Sequence, residues 1–256
     1  ALPEVQNAKK NGYLLVSRGT TTAYCLEEIM GEKVAKERYL AGQVIRGILC
    51  VLDAGDRAKP VTFHKGEVLP VEPNTVADKL GPGDILLKGG NALDAFGNVG
   101  VLMANPAGGT MGAFYMGMKA RGLEIIYPVG LEKLIPSVEE AARYGGTMAL
   151  EKAIGCRVGM ACVADGRPFT EIDALETLFD VAAVHYASGG WGGAEGCVTI
   201  IVEGPDDGVT KCVEFIEGKI KGEPALPGVK SPCKTCPIGV CSFKGKDDKD
   251  LPGYLR

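Results

Sequence analysis

Tyr13-Leu-Leu-Val-Ser-Arg-Gly19, followed at once by Thr20, Thr21 and Thr22, is the stretch on which the reading of the fold turns. A run of apolar residues closed by glycine reads as a short buried strand. The threonines open an apolar-periodic segment through Leu26 and Ile29 that stops at Gly31, the pattern of a helix. Strand, tight turn and helix together place hydroxyls and helix-start amides at the carboxyl end of a strand. Threonine hydroxyls can cap those amides, and the amides themselves suit an anion.

The same alternation continues outward along the chain. Ile45 to Leu52 reads as a strand, Val61-Thr-Phe63 as a strand-like piece, and Asp84 to Lys88 as a buried strand after the turn Gly81-Pro-Gly83. The glycine-rich loop Gly89 to Asn98 follows, then a strand from Val99 to Met103. Pro106 to Gly109 turn the chain into a helix expected to be capped by Thr110 and to end near Arg121-Gly122. Leu123 to Tyr127 is a further strand. Ser137 and Glu140 have capping-box spacing before a helix over Val138 to Tyr144, and another helix is expected from Thr147 to just before Gly155. Arg157 to Val163 reads as a strand. Thr170 and Asp173 form a second capping box, ahead of a helix with Ile172, Leu175, Phe179 and Ala182 on one face; His185 falls near its end. Gly196 to Val202 is the clearest late strand, and Val209 to Ile220 a helix. This order predicts an α/β class, specifically a Rossmann-like three-layer sandwich with a largely parallel sheet over residues 1–222. Residues 223–256 read as a short cysteine-bearing C-terminal extension, rich in turns and ending in a charged tail.

Composition narrows the function classes. The chain has 256 residues, 46% of them hydrophobic and 23% charged, which argues against disorder and supplies enough apolar mass for a core. A net charge of −4 gives no global attraction to nucleic acid or to an anionic membrane. The longest stretch without a formal charge, Ala95 to Met118, is broken by Asn98, Asn105, Pro106 and repeated glycines, so it reads as two buried elements rather than a membrane span. Pro3, Glu4, Lys9 and Lys10 precede any apolar run, unlike a secretory leader. Nine mostly scattered cysteines suit a reducing compartment, and a cytoplasmic location is expected.

Two short resemblances add to this. Leu14 to Glu28 resembles the first phosphate-facing unit of ribose-5-phosphate isomerase, and Ile85-Leu-Leu-Lys88-Gly-Gly90 resembles its lysine-glycine-glycine stretch. Ile125 to Ala141, with Gly130-Leu-Glu-Lys-Leu-Ile-Pro136, is similar to a segment of lactate-utilisation domains. Both families share the superfamily of sugar isomerases and coenzyme A transferases. The resemblance implies a Rossmann-like domain, often a homo-oligomer, with a ligand at the carboxyl ends of the strands. It also implies Lys88 as a site residue. The isomerase's acidic loop before that lysine is not recognisable here, and its charged segment after the glycines is replaced by Asn91 to Asn98.

The candidate residues fall into four groups. Arg18, Thr20, Thr21 and Thr22 can bind a phosphate or carboxylate, or serve only as a capped helix with a surface arginine. Lys88, Asn91, Asp94 and Asn98 form the densest group. In an isomerase, Asp94 would be the proton-transfer base and Lys88 would stabilise an oxyanion; otherwise they make an Asx-rich turn. Gly108, Gly109 and Thr110 can bring amides to a ligand or simply pack helix on sheet, and the loop is neither a P-loop nor a complete dinucleotide fingerprint. Ser188 to Gly196 carries Trp191 as an apolar platform and Glu195 as a polar group, or forms a hairpin or an oligomer contact. His64 and His185, the only histidines, give no zinc-enzyme pattern. Cys233, Cys236 and Cys241 are spaced to converge on a soft metal, zinc or an iron–sulfur cluster, with Cys197, Cys212 or another chain as a source of the fourth ligand; a disulfide or free thiols is the other reading. That segment is expected to lie outside the active site. The expected function is binding of a small anionic metabolite, with isomerisation of a sugar phosphate as the enzymatic form and a non-catalytic metabolite or redox/metal sensor as the alternative.

Overall fold

The structure is a computed structural model that describes residues 2–255. Helix α1 (Pro3–Asn11) leads into β1 (Tyr13–Val16), α2 (Thr20–Met30) and a hairpin of β2 (Gly42–Ile45) and β3 (Ile48–Val51). β4 (Val61–His64), β5 (Glu67–Leu69), β6 (Ile85–Leu87), β7 (Ala92–Leu93) and β8 (Val99–Met103) follow. A π-helical turn, Met111–Tyr115, runs into α3 (Met116–Ala120), and then come β9 (Glu124–Pro128) and α4 (Val138–Ala142). The rest is β10 (Gly159–Val163), β11 (Arg167–Phe169), α5 (Glu171–Phe179), β12 (Ala182–Ser188), β13 (Val198–Glu203) and α6 (Asp206–Phe215).

The main sheet has six strands in the order β11-β9-β6-β1-β4-β5. β11, β9, β6 and β1 run parallel, while β4 and β5 add an antiparallel edge. This mixed α/β arrangement is compatible with the Rossmann-like expectation. Both faces of the sheet are buried, as the continuous apolar runs of the parallel strands require. Leu14, Val16, Ile85, Leu87 and Ile126 pack with Ala8 of α1 and Ala23 and Leu26 of α2. Their sequence neighbours Leu15, Leu86, Ile125 and Tyr127 pack with Val99, Val101, Phe114 and Met118 on the opposite side. The small antiparallel sheet β10-β8-β7 belongs to that second cover.

The chain leaves β1 toward β4 and β5 on one side, then returns to add β6, β9 and β11 on the other. Ligands of open α/β sheets bind outside the carboxyl ends of the strands at such a reversal. Register aligns those ends, since Val16 lies opposite Leu87 and Leu87 opposite Ile126.

Several expected elements differ. Ile45 to Leu52 is not one strand, because Arg46 and Gly47, with φ of 48° and 74°, make the tight turn of the β2–β3 hairpin. No helix starts at Thr147. The Gly146 amide instead donates to the Val158 carbonyl and Arg157 donates to Leu150, tying the segment to the start of β10. The capping box of α5 forms, but the helix stops at Phe179, where Asp180 takes a left-handed φ of 53°. His185 therefore lies on β12, its ring bonded to the Ser188 hydroxyl at 2.8 Å. β13 pairs only with β12, as a separate antiparallel ribbon. Cys212 is buried against Leu175, Val181 and Ala183, in keeping with its place on an apolar helical stripe.

Residues 223–255 have no α-helix or extended strand, yet they fold back on the body. The Ser231 hydroxyl donates to Asp56 and accepts from the Asp53 amide, both at 2.8 Å. Cys233, Phe243, Leu251 and Leu255 bury together with Ile48 of β3.

Candidate functional site at the strand ends

A cleft of about 720 Å³ opens at the carboxyl ends of β1 and β6. Its walls include Ser17, Arg18, Thr20, Thr21, Lys88, Asn91 and Lys133. Gly108, Gly109 and Thr110, which precede the π-helical turn, also line it. Two of the glycine-bearing loops picked out in the sequence therefore meet the start of α2 in one space.

The start of α2 is not capped by any side chain. Thr22, fully buried, turns its hydroxyl back to donate to the carbonyls of Ser17 at 2.7 Å and Gly19 at 3.0 Å. Threonine capping is thus replaced by a hydroxyl that locks the turn, leaving the helix-start amides without a side-chain acceptor. Ser17 is 2% exposed, and its hydroxyl has no hydrogen-bond partner among the described residues. A buried hydroxyl without a partner carries a desolvation cost that a ligand oxygen would remove.

Lys88 emerges directly after β6. Its ammonium donates to the Gly89 carbonyl at 2.9 Å, and none of the ion pairs among the described residues includes it. Burial, reinforced by the charge of Lys133, pushes the Lys88 pKa down to about 8. Lys133 reaches the Thr21 hydroxyl at 3.4 Å and so connects the loop after β9 to the start of α2. Its ion pair with Glu132, at 3.6 Å, is long and partly exposed.

Arg18 lines the cleft but its guanidinium is already engaged, donating to Glu72 at 2.9 and 3.1 Å and to the Ala58 carbonyl at 2.6 Å. It positions the wall rather than offering a free charge. Asn91 faces the cleft while its side-chain oxygen accepts from the Leu102 amide.

Asp94 and Asn98 are placed elsewhere. Asp94 is 2% exposed, and its carboxylate accepts from the amides of Phe96, Asn98 and Val138 and from the Asn98 side chain, at 2.9 to 3.0 Å. Burial alone would raise its pKa, but these donors, Val138 foremost, hold the carboxyl below its ordinary range. Such a carboxylate is a clamp joining the loop to α4, and it does not line the cleft. Trp191, 88% exposed, and Glu195, which accepts from the Gly193 amide, lie on the β12–β13 hairpin loop and do not line the cleft. His64 stacks on Tyr13 with ring centroids 4.0 Å apart.

The cleft contains groups the sequence reading missed. Ser17 was hidden inside an apolar strand, although it is the first polar residue after β1. Lys133 carried no local signal, because its place beside Lys88 depends on β9 lying next to β6. Cys50 and Cys156 line the opposite wall together with Leu226, Pro227 and Ile238 of the C-terminal segment. Of the segment 233–241, expected to lie outside the active site, Ile238 reaches this wall while Cys233, Cys236 and Cys241 do not line the cleft.

Comparison with protein-family models, with curated proteins and with solved structures finds no match. No helix among the described residues is long and apolar enough to cross a membrane.

Proposed function

We propose that this chain binds a small anionic metabolite, a phosphate or carboxylate, in the cleft at the ends of β1 and β6. The observation that carries this reading is the pair Lys88 and Lys133, two cations facing one space beside the uncapped start of α2. Their mutual repulsion disfavours the charged pair when the cleft holds only water, and an anion between them reverses that term. The Ser17 hydroxyl and the helix-start amides supply neutral donors to the same anion. The reading is that of a Rossmann-like, three-layer relative of the sugar isomerases and coenzyme A transferases.

One observation favours an enzymatic form of the same site. A lysine with its pKa lowered to about 8 has a substantial neutral fraction near physiological pH and can accept a proton. Isomerisation of a sugar phosphate by proton transfer would then rest on Lys88 as base, since Asp94 is committed to its clamp.

Thermal-shift and calorimetric titration with inorganic phosphate, ribose 5-phosphate, short carboxylates and a coenzyme A ester tests the binding. Phosphate-bearing ligands are expected to raise Tm. Lys88→Met is expected to weaken them roughly ten- to a hundredfold, the loss of one charge-assisted hydrogen bond. No shift with any of these anions, or an unchanged affinity in both Lys88→Met and Lys133→Met, would overturn the reading. Turnover of the sugar phosphate that survives in Lys88→Met would remove the base role alone.

A further inference from the structure

Five of the nine cysteines gather at one place, drawn from three separate parts of the sequence. β3 carries Cys50. The segment around Gly155 bridges it in parallel, Leu49 against Gly155, so that Cys50 and Cys156 each follow one residue later. Cys156 is in turn bridged antiparallel to Cys241. The Cys156 amide donates to the Leu49 carbonyl at 2.8 Å, while Arg157 donates to Val240 and Ser242 to Gly155, both at 3.0 Å. Three cysteines thus stand side by side across three extended segments, with Cys156 and Cys241 directly opposite each other. Cys233 and Cys236 flank a single helical turn next to them. Cys50 lies within electrostatic reach of both, and Cys156 within reach of Cys50 and Cys236.

We propose that Cys50, Cys156, Cys233, Cys236 and Cys241 form the binding site of an iron–sulfur cluster, with four of the five thiols as ligands. The site adjoins the cleft, since Cys50 and Cys156 also line its wall, but the proposal does not rest on the anion reading. Thiolates are the ligands such clusters take. All nine cysteines are free thiols, so none is withdrawn into a disulfide. A preformed cluster enters by ligand exchange: four cysteine thiols replace the four small thiolates that carry it, each passing its proton to the departing thiolate, so that no iron changes oxidation state. The negative charge that results has a counterion, because the Lys230 ammonium sits 3.4 Å from the Cys233 sulfur. Ile48, Phe243, Leu251 and Leu255 provide an apolar backing that limits water on that side.

The choice between a cluster and a single zinc ion follows from spread. Zinc draws four donors to about 2.3 Å from one point. Among the described residues, no three His, Cys, Asp or Glu side chains close on such a point. The thiols come from β3, from two segments bridged to it in succession, and from one turn. A polynuclear cluster, each of whose iron atoms takes its own thiolate, suits donors drawn from several separate segments. The site would also add a restraint to a segment otherwise held by its packing on Ile48 and by the Ser231 hydrogen bonds. The C-terminal extension is short of helix and strand, and cross-linking Cys233, Cys236 and Cys241 to Cys50 and Cys156 would fasten it to the body.

The test uses the full chain purified without oxygen, then reconstituted anaerobically by transfer from a preformed iron–sulfur cluster carried by small thiolates. Iron, acid-labile sulfide and zinc are measured, together with the visible absorption of the bound species. Stoichiometric iron and sulfide with a broad visible band are expected. A single serine substitution leaves four thiols, so double variants decide the ligand set. Cys50→Ser with Cys156→Ser, and Cys233→Ser with Cys236→Ser, are each expected to lose the cluster, while Cys197→Ser, on the distant hairpin, keeps it. Folding of each variant is checked by far-ultraviolet circular dichroism. Absence of iron from the reconstituted unmodified protein, stoichiometric zinc in its place, or full iron content in a folded Cys50/Cys156 double variant would overturn the proposal.

Discussion

Two glycine-rich loops look alike in the sequence. Gly89 to Asn98 carries Asp94 and Ser188 to Gly196 carries Glu195, and each precedes a strand. The structure treats them differently. The first begins at the carboxyl end of a parallel strand, so Lys88 and Asn91 meet α2 and the loop after β9 across a cleft. The second joins two antiparallel strands of a ribbon and reaches into solvent. Glycines and a carboxylate do not make a site. Convergence with other parts of the chain does, and parallel strands supply it by ending together.

The two carboxylates give the largest contrast. Asp94→Ala strands the buried amide of Val138 and frees the loop from α4, and is expected to cost roughly 2–4 kcal/mol. Glu195→Ala removes one exposed bond to Gly193 and is expected to stay within about 0.5 kcal/mol. Urea denaturation of the two variants measures the difference. At saturating phosphate the folded Asp94→Ala protein should bind as the unmodified one does, because the carboxylate does not reach the cleft. A lost affinity in a variant that remains folded would restore Asp94 to the site.

The comparison also separates adjacent glycines within the first loop. A Cβ on Gly90 would sit 2.6 Å from Cγ1 of Val99 and 3.3 Å from Cγ2 of Val129, both buried. A Cβ on Gly89 would meet nothing within 4 Å. Gly90→Ala is therefore expected to destabilise by about 1–3 kcal/mol through overpacking, and Gly89→Ala by much less. Equal Tm values for the two would show that the loop yields without cost. It would then be as pliant as the hairpin loop.

These contrasts show how much could be read from the residues alone. The strand–turn–helix at Tyr13 to Met30 was legible because its apolar run, glycine and helical period are all local. Lys88 was legible for the same reason. Lys133 was not, since its proximity to Lys88 and Thr21 depends on β9 lying beside β6, which no local pattern specifies. The cysteines divide in the same way. Cys233, Cys236 and Cys241 announce themselves by spacing, whereas Cys50 and Cys156 look like small core hydrophobes until strand pairing places them beside the others. β12 was missed because its outward residues include Val184 and Tyr186, which blur the alternation of a half-buried strand.

Titration sharpens the distinction between a cleft lysine and an ordinary surface one. The folded state lowers the Lys88 pKa to about 8, whereas the unfolded chain keeps it near 10.4. Between these values the unfolded state binds more protons, so the contribution of Lys88 makes stability rise with pH across that window. Below about pH 8 both states are protonated and the penalty of the buried charge is constant. Binding of an anion runs the other way, being strongest below about pH 8 and weakening as Lys88 loses its proton. Sulfate is the suitable probe because its own charge does not change over the range. Lys88→Met should abolish this pH dependence of affinity, and an unchanged profile would place the titrating group elsewhere.

The smallest expected effect concerns Trp191, and it bears on whether the second loop has any part in binding. At 88% exposure the indole sits in water, and it is the only tryptophan of the chain. Its emission is therefore expected to lie at the red end of the tryptophan range and to be quenched freely by acrylamide. Gly189, Gly192 and Gly193 all take positive φ, so a turn built on them holds the loop as a hairpin without help from a ligand. Saturation of the cleft with phosphate should leave both the emission maximum and the quenching constant unchanged. Trp191→Ala should alter neither affinity nor stability beyond about 0.5 kcal/mol. A blue shift on adding phosphate, with protection from acrylamide, would mean that the hairpin folds over the bound anion. The two loops would then belong to one site, and the contrast between them would describe only its open form.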